Sequence, residues 1–191
     1  MDRTFDAAFP GDLRSQAKAA VSVLNLSTDY YVGDFSVSVL GETMVIPRRV
    51  HCPSITPDLS RLPLQQRQMA QCILTRSTDG FKRQAALKEV LPINEPWSIP
   101  FVIALVGEYV IEIIDDIYVA APKFDREVVA TFIGENSAFY KVICDRVMSY
   151  WNCYYRWQFQ RDDYVGFKLL RELDTQAQSR LVTTPTAMTP T

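Results

Sequence analysis

Four carboxylates, Glu108, Glu112, Asp115 and Asp116, stand in the segment from Ser98 to Val119, which is otherwise rich in isoleucine, valine and other apolar residues. On a helix, Glu108, Glu112 and Asp115 fall within about 60° of one another around the axis, with Asp116 just beside them. Clustered carboxylates raise one another's pKa and so suit acid and base work, and their oxygens also suit Mg²⁺ or Ca²⁺. One reading therefore makes the stripe the wall of a cleft in an enzyme or small-ligand binder. The other makes it the solvated or arginine-paired edge of a core helix, the commoner fate of such a stripe. Di-iron bundles add Glu-x-x-His pairs, and His51 is the only histidine of the chain.

The remaining reactive side chains point away from catalysis. His51 and Cys52 are adjacent, so on a strand they face opposite ways and are poorly placed to share a metal. GxSxG, P-loop and GxGxxG patterns are all absent, and a serine or cysteine nucleophile would have to borrow His51 as its base. The expectation is no catalytic residue, no metal site and no cofactor. Cys52, Cys72, Cys144 and Cys153 form no CxxC pair, which favours reduced thiols in a cytoplasmic protein. The N-terminal residues carry acids and no apolar run of signal-peptide length, and the acids of the 98–119 segment argue against a membrane span.

Charge is segregated along the chain. From Arg48 to Lys88 there are eight basic residues and two acids; from Glu89 to Val119 there are six acids and no base. The basic block could hold phosphates, but it lacks the interleaved aromatics that stack bases. Mutual neutralisation by neighbouring helices is the simpler expectation, and a net charge of −2 adds no general attraction for nucleic acid.

A different surface is suggested by Ile143, Val147, Tyr150, Tyr154 and Trp157, which recur at spacings of 4, 3, 4 and 3. That is a heptad-like seam. Trp151, Tyr155 and Phe159 surround it, more aromatic area than one core-facing stripe uses, so Tyr150, Trp151, Tyr154 and Trp157 form a candidate interface.

The elements that must position these residues are read from periodicity. A chain of 191 residues, 48% hydrophobic and 22% charged, suffices for one buried core. A first helix is expected over 13–26. Phe35, Val37 and Val39 alternate with serines before Gly41, which predicts a β-hairpin over about 34–50 with a type II′ turn. After a proline-punctuated connector, helices are expected over 64–76, 81–91, 98–119, 124–133, 138–160 and 164–173, with an interruption over Gly134–Ser137. The fold class is mainly α, a single domain over 1–174 with its helical part from about 62. The Thr- and Pro-rich stretch 175–191 reads as a disordered tail.

Asp79, Arg83, Ala85, Ala86, Leu87, Val90 and Leu91, placed at the start of the second helix of a pair, resemble the turn and inner helix of a HEAT-type α-helical repeat. The resemblance covers 62–91, and 97–133 could supply a second unit. It implies irregular helical-hairpin packing and a scaffold or adaptor role, and it assigns no catalytic residue. The function expected is a non-enzymatic protein–protein interaction module, bound to a protein partner or to a second copy of itself. The alternative is an enzyme or small-ligand binder with a carboxylate-lined cleft on the 98–119 helix.

Overall fold

The computed structural model describes residues 5–27, 32–55 and 57–182, the last four for their backbone alone. Two 3-10 turns, Phe5–Ala8 and Gly11–Leu13, lead into helix α1 (Arg14–Ser22), shorter than expected and seated by the buried Ala17 and Ala20. Strands β1 (Asp34–Val39) and β2 (Glu42–Pro47) pair antiparallel, with Val37 opposite Met44 and Phe35 opposite Ile46. Alternation sends Val37, Val39, Met44 and Ile46 into the core.

The hairpin turn differs from expectation. Leu40 and Gly41 are its two central residues and both have positive φ, 52° and 81°, the type I′ pattern rather than type II′. Leu40 thus occupies left-handed backbone while its side chain is 69% exposed, so strain is not offset by burial. Leu40→Asn is expected to stabilise the protein by about 1 kcal/mol, raising the thermal midpoint by about 2–4 °C. A midpoint that stays put or falls in calorimetry would show that the leucine side chain is needed at the turn.

Beyond the connector, α2 (Leu64–Leu74) and α3 (Gly80–Val90) pack as consecutive helices. Asp79 caps α3 by accepting hydrogen bonds from the amides of Phe81 and Lys82. The chain leaving β2 is stitched to the turn between these helices, the Val50 amide donating to the Arg76 carbonyl and the Thr78 amide to the Val50 carbonyl.

The expected helix over 98–119 is two helices, α4 (Ile99–Val106) and α5 (Ile111–Ala120). Every residue of α4 is buried. The break falls at Gly107, where a side chain would meet Arg146 and Ile143 at 3.2–3.3 Å. Glu108 therefore lies in a connection, and the four carboxylates do not form one helical stripe.

Asp125 caps α6 (Arg126–Glu135), which runs through Gly134. The interruption expected over Gly134–Ser137 falls at Asn136 within it, before α7 (Ser137–Tyr150). The helix expected to reach residue 160 passes at Trp151 into one π turn, Trp151–Tyr155, closed by the Arg156 amide on the Trp151 carbonyl. Helix α8 (Val165–Val182) exceeds its expected end at 173. Leu169, Leu170, Leu173 and Gln176 continue a buried face, and the Gln176 amide donates to the Ala121 carbonyl. The expected tail is thus helical as far as Val182 and packed at Gln176 and Ala177; 183–191 lie outside the described residues. Helix α8 packs on α5 and α6, and one contiguous apolar cluster extends from Phe5 to Leu173. No described helix is long and apolar enough to cross a membrane.

Candidate functional site

Glu108 is 3% exposed and sits between two guanidinium groups. Arg49, just past β2, reaches its Oε1 at 2.5 Å, and Arg83, from the first turn of α3, reaches its Oε2 at 3.3 Å. Arg83 is itself 1% exposed and also donates to the carbonyls of Ser77 and Thr78, so it ties the α2–α3 turn to the α4–α5 connection. Three sequence-distant segments meet on one carboxylate. Such a pair in the interior is held by charge-assisted hydrogen bonds rather than by solvent.

The other members of the expected stripe go elsewhere. Half-buried Asp116 accepts from the Gln84 amide at 2.8 Å and faces Lys88 at 4.0 Å. Glu112 and Asp115 are exposed and line a shallow groove of about 360 Å³ with Tyr118, Phe159, Asp163 and Lys168. That groove contains two of the four expected carboxylates, while Glu108 and Asp116 neutralise residues of the basic block. Among the described residues no group of three or more His, Cys, Asp or Glu side chains is placed to hold a metal ion.

The aromatic candidates also divide. Trp151 turns inward, its ring edge-on to Phe167 at 5.6 Å and its indole N–H donating to the Phe159 carbonyl. Tyr150 is half-buried and stacks with Tyr154 at 6.1 Å. Tyr109 joins both, at 6.0 Å from Tyr150 and 6.4 Å from Tyr154. Tyr154 is 62% exposed and Trp157 84% exposed, with the Arg156 guanidinium 4.6 Å above the indole. The seam is therefore core at Ile143 and Val147 and surface by Tyr154. The π turn explains the change: its extra residue rotates the residues after it by about 100° relative to a continuous α-helix.

Neither Tyr109, in the aromatic patch, nor Arg146, beside Gly107, is among the candidate residues expected from the sequence. Tyr109 enters only because the chain breaks at Gly107 and the Tyr155 hydroxyl donates to the Tyr109 carbonyl at 2.6 Å. Arg146 carried a signal that could have found it, since Phe139, Ile143, Arg146 and Tyr150 lie along one helical face.

His51 is exposed and lies 3.5 Å from the Thr78 hydroxyl. All four cysteines are free thiols, Cys52 and Cys72 buried and Cys153 exposed. Burial pushes the Cys72 thiol well up, which suits packing rather than nucleophilic attack. Comparison of the chain with protein-family models, curated proteins and solved structures finds no match.

Proposed function

We propose that the protein is a non-enzymatic helical interaction module whose contact surface is the aromatic patch of Tyr109, Tyr150, Tyr154 and Trp157. The observation that carries this reading is the exposure of Trp157 and Tyr154 on the rotated side of the π turn. Large aromatic rings held in water are the residue types that anchor protein interfaces, and π turns frequently mark functional positions. The occupant is a partner protein with an acidic, apolar segment, because Arg156 covers the indole and Arg146 lies beside Tyr150. Packing of α2 on α3 about the Asp79-capped turn agrees with the HEAT-like resemblance and its scaffold role. Four unpaired thiols fit a reducing, cytoplasmic compartment. This reading ranks above a carboxylate-lined active cleft because Glu108 is engaged with buried arginine.

The test is the double change Tyr154→Ala/Trp157→Ala. Both side chains are mainly in solvent, so helicity by circular dichroism is expected to persist and stability to shift by only about 0.5 kcal/mol. Affinity for the partner, identified by purification from the native host and reconstituted from pure components, is expected to drop at least about tenfold. Unchanged affinity, or an unfolded variant, would overturn the interface. A dimeric mass in light scattering that the variant reduces to monomer would make the occupant a second copy of the chain.

A further inference from the structure

Between the end of β2, Gly107 and the outer face of α7 lies a cavity of about 260 Å³ lined by Arg48, Arg49, Arg76 and Arg146. Its mouth is marked by Arg48, Val32 and Val142, all exposed; Ile143 and Arg76 form its floor. Phe35 and Phe139, stacked at 5.0 Å, make one wall. Glu108, held by Arg49 and Arg83, is the one carboxylate to which any of these guanidinium groups or Arg83 is paired among the described residues. Neither Arg48 nor Arg146 has a carboxylate partner there.

Arg76 is the decisive group. It is 2% exposed, and its Nε and Nη2 donate to the carbonyls of Pro47 and Arg48. Its Nη1 finds no acceptor among the described residues. A buried guanidinium nitrogen without an acceptor is costly, and an anion in the cavity would supply one. Burial and the repulsion of Arg49, Arg83 and Arg146 both disfavour the charged form of Arg76, with Glu108 opposing them. Gly107 is part of the device, since a side chain there would press on the stem of Arg146.

We propose that this cavity binds a phosphate group, free or as the monoester of a small molecule, held by Arg76, Arg146 and Arg48. Guanidinium forks match tetrahedral oxyanions bidentately, and the forks of Arg48 and Arg146 with the Nη1 of Arg76 present more donors than a monocarboxylate can use. The apolar wall of Phe35, Phe139 and Val142 suits a compact organic body on the phosphate. The volume falls short of the ~300–1,000 Å³ of drug-sized sites, which favours a small ligand over a nucleotide.

Titration calorimetry and thermal unfolding of the full chain, at constant ionic strength in sodium chloride, test this with inorganic phosphate and phenyl phosphate as probes. Saturable binding and a rise in the thermal midpoint are expected. Arg146→Gln and, at the exposed rim, Arg48→Gln are each expected to weaken binding at least about tenfold, the loss of one charge-assisted pair. The exposed Arg61→Gln, of equal charge change, is expected to leave it unaltered. Tighter binding of phenyl phosphate assigns the site to a monoester, and equal or weaker binding assigns it to free phosphate. No saturable binding of either probe, equal losses in Arg61→Gln, or binding of a single-stranded oligonucleotide alone would overturn the proposal. Circular dichroism of each variant confirms the fold, and the rim variant keeps the test decisive if Arg146→Gln unfolds.

Discussion

Glu108→Gln is expected to destabilise the protein by about 3–5 kcal/mol, the cost of removing one partner of a buried ion pair. Among the described residues the carboxylate is the only negative charge meeting Arg49 and Arg83, and Arg83 is almost wholly buried. An amide keeps the shape and one acceptor but leaves a buried guanidinium uncompensated, with the Arg83 Nε already lacking a partner. Chemical denaturation measures the loss. The paired change Arg83→Met/Glu108→Leu is expected to recover much of it, because apolar replacements remove both desolvation penalties together, while Arg49 is exposed enough to turn to solvent. A Glu108→Gln variant within about 1 kcal/mol of the wild type would show that the pair does not hold these segments together.

Asn136→Ala is expected to cost about 2–3 kcal/mol, from three hydrogen bonds at about 1 kcal/mol each. The side chain behaves like one residue of a missing third strand. Its Oδ1 accepts from the Ser38 amide at 2.7 Å, and its Nδ2 donates to the Ser38 carbonyl at 2.7 Å and the Phe132 carbonyl at 2.8 Å. One buried amide thereby joins the open edge of β1 to the α6–α7 junction, 98 residues away. Hydrogen exchange gives the specific readout: the Ser38 amide should lose protection in Asn136→Ala. Undiminished protection at Ser38 would mean that the hairpin is held by its apolar face alone.

Features that depend on near neighbours could be read from the chain. Serine–valine alternation announced β1 because successive side chains on a strand face opposite ways. The helices expected over 64–76 and 81–91 announced α2 and α3 to within two residues, and Asp79 marked the turn before α3, because helical neighbours recur at three and four residues. Ile143 and Val147 were legible as packed positions for the same reason. The π turn was not, since a register shift of one residue leaves no mark on composition. The break at Gly107 was equally hidden: an apolar run favours continuous helix, and only the approach of Arg146 from α7 requires a bare backbone there.

The charges show the division most clearly. Segregated basic and acidic blocks were visible in the sequence, and so was the expectation that they would neutralise each other. Which carboxylate would be buried was not, because Glu108 meets Arg49 and Arg83 across 59 and 25 residues of chain. Likewise, nothing local places Arg76 beside Arg146 on one cavity. Local spacing determines which face of a helix a side chain occupies; desolvation and Coulomb energy are set by what the tertiary fold packs against that face. That is why Glu108, Glu112, Asp115 and Asp116 read as one site along the chain and occupy three environments in the folded protein.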